Sequence, residues 1–225
     1  MAEFDVEWGM GNGKKRSLSE MESSEFFEPM ADTIRKKKVE YTHPLIYTTG
    51  NEVHFAYDHV DKLSIELLIK QITRLVEKKY KNKKADDEVT ITYVLDTPGG
   101  SVHAALKFVD FISLMKEKYP GLIFVSVITG LVASAGTTMA IIADKRKMTA
   151  NAHAMIHELS SGNSGRYTQL TAYSKFLTGV HDRLVGIYMK NNTTISVEEL
   201  ELLLMRDTWY NADDYKTSGF VQEVK

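Results

Sequence analysis

The sequence predicts an α/β fold built on a largely parallel sheet, and three observations carry that prediction. Two runs, VTITYVLD at residues 89–96 and LIFVSVIT at 122–129, are short, β-branched and apolar on both faces, as strands covered on both sides are. Each leads into a glycine-bearing turn and then into a segment whose apolar residues recur at helical spacing. Strand, helix, strand, helix requires right-handed crossovers, which set parallel strands side by side under helices.

The elements follow in order. PLIYTT, residues 44–49, reads as a short strand. Leu63, Ile65, Leu67, Leu68, Ile72 and Leu75 mark a helix over 63–80, whose last turn and exit are rich in lysine, as a helix C-terminus favours. After VTITYVLD comes the turn TPGGS, then a helix over 102–119 with Val102, Ala105, Leu106, Val109, Ile112 and Met115 on one face. LIFVSVIT precedes a helix over 134–143, and KMTANAHAMIHEL, 147–159, reads as one further strand. SSGNSG connects it to a helix over 167–190 with Leu170, Tyr173, Leu177, Val180, Leu184 and Ile187 in a stripe. At about 24 residues that helix spans ~36 Å, too long for one small core to cover, so part of it is expected to meet another subunit. Ser196 and Glu199 form a capping box that opens a helix over 197–205. A last helix over 212–218 stops at Gly219, and FVQEV forms a terminal strand.

Residues 1–42 read differently. GNGKKRSLSEMESSE is polar and RKKK at 35–38 is a basic run without apolar periodicity, so this segment is expected to be a flexible arm, a propeptide or docking segment, with one short helix over 30–37. Residues 43–225 then form the folded domain. With 43% hydrophobic and 26% charged residues, a chain of 225 residues suits one domain with a sizeable core plus a tail. A formal net charge of -2 gives no electrostatic footprint for nucleic acid, and no window of about 18 apolar residues suggests a membrane span. The absence of cysteine excludes disulfides, thiolate nucleophiles and cysteine-based zinc sites. The N-terminal stretch lacks the basic-then-apolar order of a secretory signal, so the expected location is the cytoplasm.

The candidate chemistry sits where strands end. In parallel sheets sites assemble at strand C-termini, which brings 97–101 and 130–136 forward together. TPGGS has neither the lysine of a phosphate loop nor the three glycines of a dinucleotide loop; the exposed amides of a Gly-Gly turn suit an oxyanion equally well, and a purely structural turn stays open. Ser134 follows a strand at a helix start, flanked by Ala133, Ala135 and Gly136, small neighbours that let a substrate backbone approach. The Gly-x-Ser-x-Gly elbow is half kept, with Val132 in place of its first glycine. Serine is also a favoured helix N-cap, so capping and nucleophilic readings both stand for this residue alone. A serine nucleophile needs a base. Of the seven histidines, His43, His54 and His59 lie in polar surroundings and His181 on the long helix, which suits surface or structural roles. His153 and His157 lie four apart in the expected strand, hence on one face, and His157 ends it. No HExxH pattern calls for zinc, so no metal and no cofactor is implied. Asp207, after a capped helix, is a candidate orienting carboxylate or simply a turn residue.

Taken together, DTPGGSV, VASAG and AMIHE, in that order, resemble the proteolytic subunit family of Clp proteases, with 23 residues from Ser134 to His157 and 50 from His157 to Asp207. The resemblance runs from about residue 43 to the end. It implies the superfold shared with crotonases, repeated β-β-α units with a protruding helical handle. It further implies a serine endopeptidase with Ser134 as nucleophile, His157 as general base and Asp207 as the group that fixes its tautomer. Backbone amides of Gly99, Gly100 and Ala135 would form the oxyanion hole, Gly100 above all, and Glu158, Leu159, Ser160 and Ser161 would lie along an extended polypeptide substrate. The family stacks heptameric rings into a chamber that takes unfolded chains from an AAA+ unfoldase, an ATP-driven ring. Where the family has Gln-Pro this chain has Glu158-Leu159, and YDHVDK and KKYKNKKADDE look like insertions, which suits a divergent member of phage or organelle type. The rival readings are an inactive structural or regulatory ring subunit, a Ser-Lys peptidase, and thioester chemistry of the crotonase kind.

Overall fold

In a computed structural model, residues 45–83 and 87–225 are described. The expected arm, its short helix and His43 lie outside them. Strand order explains the layering. The strands run β1 (Ile46–Thr49), β2 (Glu52–Ala56), β3 (Val89–Thr97), β4 (Leu122–Ala133), β5 (Lys145–Met148) and β8 (Glu223–Val224) along the main path of the sheet, and each neighbouring pair on that path from β2 onward is parallel. Because β2 to β5 are neighbours in sequence order, right-handed crossovers throw each connecting helix onto the same face. Those helices are α1 (Lys62–Lys81), α2 (Val102–Lys118) and α3 (Ala135–Ile141).

This one-sided covering corrects an expectation. β3 buries Val89, Ile91, Tyr93, Leu95 and Thr97 under the helices, where Tyr93 meets Phe108 of α2 edge-on and donates its hydroxyl to the Met139 carbonyl at 2.9 Å. Burial holds the Tyr93 phenol far above its ordinary value, so it stays a neutral donor. On the other face Thr90 is exposed and Thr92, Val94 and Asp96 are half-buried rather than covered by a second helical layer.

Other differences have local causes. The α2 stripe is rotated: Ala104, Ala105, Phe108, Ile112 and Met115 are buried, while Val102, Leu106 and Val109 are only half-buried. β4 does not end at Thr129 but continues through Gly130 to Ala133, with a register shift opposite Asp96. Gly130 has φ 59°, and a Cβ there would lie 2.8 Å from an Asp96 carboxylate oxygen; that carboxylate instead accepts the Leu131 amide at 3.1 Å. The expected single strand over 147–159 is two, β5 and β6 (His153–Ile156), separated by a turn. Both lie along the same edge of the long β4, β5 beside its first half and β6 beside its second. YDHVDK is no insertion within a regular element: it links β2 to α1, and Asp61 with Ser64 forms a capping box for that helix.

The C-terminal part holds α4 (Tyr167–Asn191), α5 (Val197–Leu204), β7 (Thr208–Asn211) and α6 (Ala212–Thr217). The Ser196 and Glu199 box opens α5 as expected, and Gly219 follows α6 with φ 78°. The FVQEV strand shrinks to the two residues of β8. α4 buries Val180, Val185 and Tyr188 in its second half only; Tyr167, Leu170 and Phe176 in its first half remain exposed.

Candidate active site

Strand register assembles the site. β6 runs parallel to β4 with Ala133 opposite Met155, and antiparallel to β7 with Ile156 opposite Thr208. Extending both ladders by one step puts Ser134 at the end of β4 beside the end of β6, and His157 opposite Asp207. His157 Nε2 lies 2.7 Å from Ser134 Oγ, and its Nδ1 lies 3.4 Å from Asp207 Oδ1. Three residues far apart in sequence therefore meet because two adjoining ladders share β6. The Asp207 side chain is largely exposed, at 65%, whereas that of His157 is 26% exposed.

The two readings of Ser134 can be separated at its backbone. It has φ 54° and ψ −124°, a left-handed conformation rare for any residue but glycine, and its side chain makes no capping hydrogen bond to α3. A capping serine has extended backbone and points its oxygen at the helix amides; this one points at an imidazole. Its amide donates to the Met155 carbonyl at 2.9 Å, and its carbonyl accepts from the Thr137 amide at 3.0 Å and the Thr137 hydroxyl at 2.5 Å. The Thr137 hydroxyl also pairs with the Tyr188 hydroxyl at 2.6 Å, so the turn is pinned to α4. Burial raises the Tyr188 phenol above its ordinary value and keeps it neutral.

The Gly-Gly turn approaches from β3. Gly99 is buried with φ 94°, and a Cβ on it would fall 2.6 Å from the Ala133 carbonyl and 2.7 Å from Ser134 Cβ. Its role differs from the expected one: the Gly99 amide already donates to Thr97 Oγ1 at 3.1 Å, so it is engaged, and glycine is needed there for close approach. Gly100 is exposed, lines the cavity and forms an isolated parallel bridge with Val60. In such a bridge the flanking residues bond the partner, here Val60 amide to Gly99 carbonyl at 2.9 Å and Ser101 amide to Val60 carbonyl at 2.6 Å. The Gly100 amide consequently faces away from Val60. The Ala135 amide belongs to the first turn of α3, whose donors have no partner within the helix.

A cavity of about 270 Å³ opens over Ser134 and His157. Glu158, Leu159, Ser160 and Ser161 line one side in chain without regular secondary structure, so the predicted strand stops before them. Ser161 is hydrogen-bonded to Tyr173 of α4, which holds this segment against the long helix. Leu177, Val180 and Leu184 supply an apolar wall. His103, for which no role was expected from the sequence, and His181, read as surface or structural, also line the cavity. His181 pairs with both Glu201 oxygens at 3.1 and 3.2 Å, and its position in the helical stripe next to Val180 was the available signal. His54 instead stacks on Tyr47 at 4.8 Å, away from the site, and exposed His153 sits on β6. No cluster of His, Cys, Asp and Glu suited to a metal occurs among the described residues.

The sequence model of the Clp protease family matches residues 50–225, most of the chain. The chain belongs to the Clp protease family. Among its relatives, proteolytic subunit 1 of the ATP-dependent Clp protease of Chlamydia abortus is 32% identical over 138 residues, 60% of this chain and 69% of the relative. The corresponding subunit of Chlamydia trachomatis serovar D is 27% identical over 159 residues, 69% of this chain and 80% of the relative. The proteolytic subunit of Streptococcus salivarius is 29% identical over 143 residues, 62% and 70% respectively. This Clp protease is therefore a serine-type peptidase with the Clp fold, a subunit of the kind that builds an oligomeric proteolytic chamber. Among the described residues no helix is long and apolar enough to cross a membrane.

Proposed function

We propose that Ser134, His157 and Asp207 form a Ser-His-Asp triad that hydrolyses peptide bonds of unfolded polypeptides. The observation that carries this is the 2.7 Å approach of His157 Nε2 to Ser134 Oγ with Asp207 on the opposite ring nitrogen. With the Nδ1 proton directed at Asp207, the Nε2 lone pair faces the serine hydroxyl. Ser134 Oγ adds to the scissile carbonyl as its proton passes to Nε2. The Gly100 and Ala135 amides stabilise the oxyanion, and His157 then protonates the departing amine. Water completes the second half by the same route, its proton taken by His157 and returned to Ser134. Glu158 to Ser161, which line the cavity beside His157, supply main-chain partners to an extended substrate, and the cavity beside Leu177 and Leu184 receives a side chain.

In this reading the chain works in the cytoplasm as a homo-oligomer of stacked rings, the exposed half of α4 serving as the handle between rings. An ATP-dependent unfoldase feeds it. Residues 1–42 act as a docking or cleavable segment. The decisive experiment is fluorophosphonate labelling of the assembled protein beside Ser134→Ala. Labelling that disappears in the variant, with peptide turnover lower by something on the order of 10⁴- to 10⁶-fold and assembly unchanged, supports the triad. An assembled wild-type oligomer that takes no label would instead be a structural or regulatory ring subunit.

A further inference from the structure

Thr97 ends β3 directly before the Pro-Gly-Gly turn and is completely buried. A buried hydroxyl needs partners, and Thr97 Oγ1 uses both of its capacities on two different loops. It donates to the Asp58 carbonyl at 2.5 Å, in the segment between β2 and α1, and accepts from the Gly99 amide at 3.1 Å. Its methyl group packs against a third segment: a Cβ added to Gly136, two residues past the nucleophile, would fall 2.5 Å from Thr97 Cγ2. One side chain thus touches the 57–60 segment, the Gly-Gly turn and the start of α3.

The 57–60 segment is the backing of the Gly-Gly turn. Val60 is buried and grips the turn from both sides through Gly99 and Ser101, and Gly100 sits so close that a Cβ would lie 2.4 Å from the Val60 carbonyl. The direction of the Gly100 amide is fixed by this grip, and Thr97 holds the Asp58 and Gly99 ends of it together. We propose that Thr97 is a positioning residue for the oxyanion hole, aiming the Gly100 amide at the carbonyl under attack by registering the 57–60 segment against the Gly-Gly turn. The proposal rests on the Ser134 mechanism above. It gives YDHV, which looked like an insertion in the sequence, a place in the catalytic support.

The test compares Thr97→Val, Thr97→Cys and Thr97→Ser in the assembled protein. Valine keeps the shape and removes the hydroxyl; cysteine keeps a small polarisable group with weak hydrogen bonding; serine restores the hydroxyl without the methyl. A donor misplaced by a fraction of an ångström to an ångström predicts kcat lower by about 10- to 100-fold in the valine and cysteine variants, with KM moving less than about threefold. Inhibition by a peptide aldehyde, whose adduct with Ser134 Oγ places an oxygen in the oxyanion hole, should weaken in parallel with kcat. Thr97→Ser should recover most of both. If the valine variant does not fold, the serine and cysteine pair makes the same comparison. Hydroxyl-free variants with kcat within about threefold of wild type, or a serine variant as impaired as cysteine, would overturn the proposal. Wild-type protein that neither takes the aldehyde nor labels at Ser134 would overturn the mechanism beneath it, a result distinguishable because no Thr97 variant is then needed to see it.

Discussion

At the scale of single residues, the candidate triad is uneven. Ser134 and His157 are close and partly sheltered, whereas Asp207 is exposed at 65% and 3.4 Å from the imidazole. Water competes for that carboxylate, so Asp207→Asn should cost less than loss of the nucleophile: a fall in kcat on the order of 10²- to 10⁴-fold with little change in KM, read from steady-state peptide hydrolysis. A fall as large as that of Ser134→Ala would mean that the carboxylate is better sheltered in the working enzyme than here. That Ser134, His157 and Asp207 come together was legible in the sequence because their motifs and spacings travel together. That Ser134 is no cap was not legible from its type, since serine at a helix start is an ordinary cap; its positive φ and uncapped helix start set the capping reading aside, and no composition encodes that. Gly99 was misassigned for a related reason. Gly-Gly advertises close approach and free amides alike, and the Thr97 hydroxyl that engages one amide lies on the strand before the turn.

Among elements, long periodic segments were read well and short paired ones were not. α1, α4 and α5 match their predicted spans within a few residues, because an amphipathic stripe or a capping box marks them. β2 and β7, of five and four residues, carry glutamate, histidine or asparagine and gain their stability from neighbours distant in sequence. The break between β5 and β6 lacks the usual glycine or proline of a turn. The short β8 is secured to β5 by Lys147 and Glu223 at 2.6 Å. The hydrogen bond from Lys147 holds the Glu223 carboxyl below its ordinary value of 4.5, so its contribution to stability is present at neutral pH and is lost as pH falls from 4.5 through the lower folded value. Protection of the β5 and β8 amides from exchange, taken relative to the intrinsic rate at each pH, should therefore fall on acidification through that window in wild type. In Glu223→Gln the same window should produce less change, and an equal loss of protection in both proteins would refute the assignment.

For the whole molecule, the α/β class and parallel sheet were legible from two buried strands and their turns, but not the bare face of the sheet. Residues such as Val94 look core-like whether a helix or another chain covers them. The same holds for the first half of α4, where Leu170 is 39% and Phe176 49% exposed within one subunit. Apolar exposure on this scale predicts association, so light scattering at micromolar concentration should report an oligomer, and Leu170→Glu with Phe176→Glu should shift it toward smaller species. A stable wild-type monomer would contradict the chamber. Finally, β6 is only four residues long, yet it is the shared rung on which both halves of the candidate triad are hung. A slip of one residue there would turn His157 to the opposite side of the sheet, with no intermediate setting available. Activity in this enzyme should accordingly fail as a switch rather than fade. Any ligand or neighbouring subunit that tightens or frees this one strand would hold control of the whole reaction without touching the nucleophile.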